Sequence, residues 1–276
     1  VRAAAMMRRC LNESLQVARH RRAFGRTLVD FPLLCRQLMK ILLPTEQALS
    51  LFLYTGHIMA SANTGDDRAE TLLRILTPLL KFRACRDNVP VATGAMEIRG
   101  GNGYIEDWVN PRLIRDAQVG LLWEGTSNIN ALDVITRAVG RVRAHETLHE
   151  ALGAKLDDAA NLPGQFRGQL HTQLDRAVAF AESVARDPAQ EDKARLVTNA
   201  LYNVASAILL AWEGCTAGAE GGDARRLLLS RLVLDHRLVP QDPMVDGENR
   251  FDRTAAALLL NDTPVAFSEG CAALSL

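Results

Sequence analysis

Apolar side chains in this 276-residue chain recur at every third or fourth position, and nowhere do they alternate with polar ones over five or more residues. The first spacing lines one face of a helix; the second would line one face of a strand. Composition points the same way, since 48% of residues are hydrophobic but only 5% are aromatic. A core built from Leu, Ala, Val and Ile favours helix over sheet, and the expected fold is all-α. No fixed-period repeat or low-complexity segment interrupts the pattern.

The spacing predicts a first helix over residues 2–20, carrying Met6, Met7, Cys10, Leu11, Leu15 and Ala18. Gly25 then breaks the pattern. A long helix is expected over 31–63, capped by Asp30, with Pro32 in the first turn, a kink at Pro44 and a stop at Gly65. A third runs over 67–99 with an interruption at Pro78, a short one over 111–117, and another from Thr126 or Ser127 to about Gly140. Further on, helices are expected over 149–158, 170–184, 196–211, 223–234 and 254–260, with Pro240 and Pro243 ending the fourth of these. Charge divides the chain near residue 144. Residues 1–144 carry 20 Lys+Arg against 13 Asp+Glu, and residues 145–276 carry 12 against 19. A basic half suits phosphate-bearing ligands and an acidic half repels nucleic acid, although surface drift would leave the same imbalance.

Several classes are disfavoured. No window of 18 residues is apolar without charge, so no membrane span is expected. The first residues lack the apolar run of a signal peptide, and the chain opens on Val1 rather than Met, as the C-terminal part of a longer protein would. Five cysteines without CxxC spacing indicate neither a disulfide framework nor a zinc site and fit a reducing cytoplasm. The six histidines lack paired-ligand spacing, and His145 and His149, one turn apart, have no acidic or cysteine partner in sequence, so no metal is expected.

Three stretches carry chemistry. Arg21-Arg22-Ala23-Phe24-Gly25-Arg26 ends the first helix; guanidinium groups there can grip a diphosphate and Phe24 can stack on a base, or the cluster simply complements the helix dipole. Gly100-Gly101-Asn102-Gly103-Tyr104 follows a helix rather than a strand, so it is no dinucleotide fingerprint; its bare N–H groups could meet phosphate, or the glycines merely cap the helix. In Trp123-Glu124-Gly125-Thr126-Ser127-Asn128, a carboxylate stands between an indole and a glycine, and burial there would make it a better base.

In order and rough spacing these stretches, with Pro111-Arg112-Leu113-Ile114-Arg115-Asp116-Ala117 between them, resemble the C-terminal helical domain of the acyl-CoA dehydrogenase family of flavoproteins. The resemblance covers about residues 1–144 and implies an antiparallel helical bundle, followed by an acidic helical extension over 145–276. It implies that Glu124 removes the α-proton of an acyl-CoA thioester while a hydride passes to FAD. Arg21, Phe24 and Gly101 would meet the adenosine diphosphate part of FAD from a neighbouring subunit. Trp123, Thr126 and Asn128 would meet the FAD of their own subunit, with Tyr104 and Gly125 facing the substrate. An electron-transfer flavoprotein and a homodimer or homotetramer are the implied partners. Glu97, Asn128 and Pro32 stand where the family often has Gln, which weakens the FAD contacts expected of those positions.

Asp30-Phe31-Pro32-Leu33-Leu34, the Trp before Glu124 and the helical extension are similar to the alkylation-response (AidB-like) branch of the family. That branch's best-known member is linked to DNA through its extension. Here the extension is acidic, and Arg225, Arg226, Arg231 and Arg237 form its one cationic run, so DNA is not the expected partner. The expected activity is FAD-dependent α,β-dehydrogenation of an acyl-CoA; the other readings are a DNA-associated flavoprotein and a helical partner without cofactor.

Overall fold

Three long helices frame the first half of this computed structural model, which describes residues 1–240, 242, 244 and 250–276. They are α1 (Arg2–His20), α2 (Pro32–Ala62) and α3 (Asp67–Arg99), and each packs on the other two. In α1, Met7, Cys10, Leu11 and Ala18 form the buried stripe. The N-terminus of α3 is closed by Asp66, whose carboxylate accepts from the backbone N–H groups of Arg68 and Ala69 at 2.9 and 3.1 Å.

Three local expectations are corrected. Helix α3 is not interrupted at Pro78; it runs unbroken through both Pro78 and Pro90, whereas α2 continues through Pro44 as its expected range required. An interior proline costs about 3 kcal/mol in an isolated helix. Full burial of Ile75, Leu76, Leu79 and Phe82 on both sides of Pro78 outweighs that cost. Asp30 does not cap α2: its carboxylate accepts from the Thr27 N–H at 3.2 Å and closes a short 3-10 turn, Leu28–Asp30. A strand pair exists where none was foreseen, because Arg22–Ala23 (β1) and Arg26–Thr27 (β2) form an antiparallel ladder too short to show alternation.

Helix α4 (Asn110–Val119) leads to α5 (Ser127–Asp133), which widens into a π-turn over Val134–Val139. The carboxylate of Asp133 holds α5 on α3 by accepting from both terminal nitrogens of Arg74, at 2.7 and 2.8 Å. Arg143, in the left-handed conformation at φ 57, opens α6 (Ala144–Asp158) five residues before the expected start. There follow α7 (Gly164–Arg186), α8 (Ala194–Ala219), α9 (Arg225–Val233), α10 (Arg250–Leu259) and α11 (Phe267–Ala273). Asp223 accepts from the Arg225 N–H at 3.0 Å, as expected of a residue opening α9. Helix α11 escaped the pattern because its seven residues bury only Gly270 and Ala273. Pro243, expected to end a helix, lies outside the described residues.

Helix α8 is the central post, buried on nearly every side and packed on α2, α3, α5, α6, α7 and α9. Contrary to the sequence expectation, α8 and the turn before it form a segment, Pro188–Ala219, that among the described residues is the one long and apolar enough to cross a membrane by length and composition; 78% of its most apolar window is buried inside the protein. A helix apolar all round belongs in a core as readily as in a bilayer. One hydrophobic core therefore runs from α1 to α11 across residue 144.

Polar groups fasten the two halves. Gln47 donates to Asn203 and Ser206 across the α2–α8 contact, at 3.2 and 2.8 Å. Arg226 reaches from α9 to Ser50 at 2.7 Å, Glu213 at 2.8 Å and Glu46 at 3.5 Å. Burial pushes the Glu213 carboxyl above the usual carboxylate range, partly countered by Arg226.

Two stability predictions follow from this packing. At Gly214 an added Cβ would stand 2.7 Å from the Leu227 backbone nitrogen, whereas at Gly153 in α6 it would meet nothing within 4 Å. Gly214→Ala should cost about 1–3 kcal/mol and Gly153→Ala should stabilise by about 0.5–1 kcal/mol, read as opposite shifts in thermal midpoint. Arg226→Met should cost roughly 1–3 kcal/mol at pH 7.5, discounted for the partial exposure of the pair. Because Glu213 holds its proton more tightly folded than unfolded, stability falls as pH rises through the interval above its unfolded value. The loss in Arg226→Met should therefore be smaller at pH 5, and equal losses at both pH values would contradict this account.

Candidate functional site

The candidate residues fall into two groups at opposite ends of α1. At the far end, Arg21 sits just past the helix and donates from Nη1 to the Arg99 carbonyl at 2.8 Å, which brings the arginine stretch against the glycine loop. Between β1 and β2, Phe24 and Gly25 form a two-residue hairpin turn, both left-handed at φ 50 and 82. That turn holds the Phe24 ring 95% exposed, edge-on to Phe31 at 6.4 Å between centroids.

The glycine loop is a 3-10 turn, Gly100–Tyr104, and its glycines have separate reasons to be there. Gly100 adopts φ 72, where a side chain would be strained. Gly103 is buried, and a Cβ there would stand 2.4 Å from the Met96 carbonyl oxygen. Gly101 alone opens on free space, so of the three it is the one available to a ligand. Tyr104 is 79% exposed beside it. Glu97, at the end of α3, accepts from the Gln37 side chain at 2.9 Å, so the carboxylate that departs from the family pattern has a partner of its own.

The loop rests on a residue that the motif search passed over. Arg99 is 8% exposed; it donates to Asn110 Oδ1 at 2.6 Å, pairs with Glu13, and stacks on Trp108 at 4.5 Å. Only its place directly before Gly100 could have marked it.

At the near end, Arg2 stacks on Trp123 at 4.6 Å. The 19 residues of α1 separate this contact from the hairpin by about 28 Å at 1.5 Å per residue. Glu124 is left-handed at φ 56 and Gly125 follows at φ 90. Asn130 holds the turn by donating to the carbonyls of Gly125 and Thr126, both at 2.9 Å. Thr126 occupies the N-cap position of α5 without a side-chain bond, so neither it nor Ser127 caps the helix as foreseen. Glu124 was expected to be buried against the indole. Within this chain it is exposed, its carboxylate makes no hydrogen bond or ion pair with a described residue, and Arg2 covers one face of Trp123. The backbone N–H of Glu124 also has no acceptor among the described residues.

Two further cations converge here. Arg86 of α3 donates to Ser127 Oγ at 3.4 Å and Arg195 of α8 to Asn128 Oδ1 at 3.3 Å. Burial lowers the Arg86 pKa, and Arg195 lowers it further. Neither arginine stands near Glu124 in sequence, so spacing could not reveal them. The cationic run of the extension is different: Arg225, Arg226 and Arg231 are paired with Asp223, Glu213 and Asp235. His149, expected to lack an acidic partner, meets Asp175 of α7 at 2.7 Å. Among the described residues no group of three or more His, Cys, Asp or Glu could hold a metal.

Comparison with known proteins fits this geometry. The sequence profile of the acyl-CoA dehydrogenase C-terminal domain matches residues 1–140. AidB of Escherichia coli is 32% identical over 198 residues, which are 72% of this chain and 34% of that protein. The solved structure of Caenorhabditis elegans ACDH-11 in complex with C11-CoA superposes with a TM-score of 0.78 at 23% identity, over 87% of this chain and 42% of that one. A Bacillus anthracis acyl-CoA dehydrogenase complexed with FAD gives a TM-score of 0.68 at 16% identity, over 99% of this chain and 53% of that one, a likeness of fold. The chain thus spans about a third to a half of the length of these relatives. Its motifs, its helical frame and the profile match over residues 1–140 agree: the chain belongs to the acyl-CoA dehydrogenase family.

Proposed function

We propose that this chain supplies the base and part of the cofactor site of an FAD-dependent acyl-CoA dehydrogenase, within a protein that brings further domains to the same site. One observation carries the reading: Glu124 offers a free carboxylate and a free backbone N–H from a left-handed turn braced by Asn130. A residue held in that conformation is strained, and such strain is found at sites where geometry is selected over stability. An α-proton beside a thioester is weakly acidic, so its removal needs a positioned base together with a donor for the carbonyl oxygen as negative charge grows there. Glu124 can serve as both, the carboxylate taking the proton and the N–H donating to the carbonyl.

The donor set fits a flavin nucleotide. Arg86 and Arg195, beside the unengaged Thr126 hydroxyl, suit a pyrophosphate, and the 48% exposed Trp123 offers an indole face to a ring system. When bound, FAD supplies the hydride acceptor that α,β-dehydrogenation requires. The exposure of Glu124 in this chain is consistent with a site whose water-excluding walls come from the remainder of the protein. The 28 Å between hairpin and Glu124 loop favours an assembly in which Arg21, Phe24 and Gly101 serve the cofactor of a second copy. Electrons would leave through an electron-transfer flavoprotein.

A DNA-associated role finds less support, because three of the four arginines in the extension's cationic run are already neutralised by carboxylates. A cofactor-free partner role predicts no flavin absorbance in the purified whole protein. In that protein Glu124→Gln should keep its flavin yet be bleached by an acyl-CoA at least about 100-fold more slowly. Bleaching at the unaltered rate would refute the base assignment. Arg195→Ala should lower the fraction of protein isolated with flavin while leaving the unfolding free energy of the cofactor-free form within about 1 kcal/mol of the original. Undiminished flavin content would remove Arg195 from the site.

A further inference from the structure

A second recess lies apart from the Glu124 loop. It is a cavity of about 1480 Å³ between the N-terminal half of α2, the middle of α3, and the extension elements α9 and α10. No residue from 100 to 130 lines it. Its walls are largely apolar, with Met39 and Leu43 from α2 facing Leu232 and Leu260 from the extension.

The charges around it are unevenly satisfied. Three of the four lining carboxylates meet a basic side chain, Asp87 with Arg83, Asp252 with His236 and Asp262 with Arg19, and the fourth, Asp30, accepts from the Thr27 N–H. The lining cations Arg36, Lys40, Arg237 and Arg253 have no hydrogen-bond or ion-pair partner among the described residues. They come from α2, the wide turn Leu234–Leu238 and α10, so three separate elements point positive charge at one recess. Asp87 acts on Arg237 through its charge, but it is also paired bidentately with Arg83, at 2.7 and 2.8 Å, so one carboxylate faces two guanidinium groups and a net positive charge remains.

Positive charge without acceptors beside an apolar wall is complementary to one kind of ligand. We infer that this cavity binds an amphiphilic anion, an apolar chain ending in a carboxylate or phosphate. The head is held by Arg36, Lys40, Arg237 and Arg253, and the chain lies along Met39, Leu43, Leu232 and Leu260. The cavity is walled on one side by the domain shared across the family and on the other by the extension, so it exists only in a chain that has both. The inference is independent of the Glu124 chemistry and stands or falls separately.

Isothermal titration of the full chain with decanoate, decyl phosphate and decanol tests it. One equivalent of decanoate or decyl phosphate should bind, at least about tenfold more tightly than decanol. The tighter of the two anions identifies the head group. The double substitution Lys40→Gln with Arg237→Gln should weaken the anions at least about tenfold and leave decanol unchanged, with Glu124→Gln binding as the original does. Equal binding of decanol and decanoate would overturn the inference, as would an unaffected double variant. Retention of a DNA duplex that is lost in the same double variant and falls steeply with salt would overturn it in favour of a nucleic-acid surface.

Discussion

The guanidinium of Arg99 holds together what the candidate site needs. A nearly buried cation is tolerable only if its charge and its donors are met, and here Glu13 of α1, Asn110 of α4 and the face of Trp108 meet them. Its backbone carbonyl then receives Arg21, so one residue at the end of α3 ties the first helix, the glycine loop, the hairpin and the fourth helix. Without that knot the Gly100–Tyr104 turn would keep only its two ends and the close contact of Gly103 with Met96.

Much of the frame was legible in the residues. The helices expected over 2–20, 31–63 and 67–99 are α1, α2 and α3 to within a residue or so, because glycines stand beyond their C-terminal ends and an apolar stripe runs along them. Pro78 misled the reading, since local propensity cannot see the neighbours that bury it and its flanking turns. Short elements with little to bury, such as α11 and the two-residue strands, leave no periodic trace. At the site, spacing identified the loops but not their supports. Arg86 and Arg195 reach Ser127 and Asn128 only through tertiary contact, from 41 and 67 residues away. The expected burial of Glu124 failed for a related reason: adjacency to an indole in sequence does not put the indole over the carboxylate, and Trp123 turns to Arg2 instead.

The charge division near residue 144 also acquires a physical meaning. The acidic half does not stand off from the basic half as a separate body; it packs on it through α8 and reaches it through pairs such as Arg19 with Asp262 and Arg68 with Glu150. Net charge by segment thus describes how two surfaces match, as well as which ligands each would attract. Where the matching is incomplete, around the cavity between α2 and α10, unpaired cations remain.

The three glycines of the Gly100–Tyr104 turn answer to different masters. Backbone handedness demands Gly100, and the Met96 carbonyl leaves no room for anything larger than hydrogen at Gly103. Folding by itself asks nothing of Gly101. A descendant of this chain released from any duty toward a nucleotide would still be obliged to keep the outer two and would be at liberty to replace the middle one, so that single position records whether the duty persists.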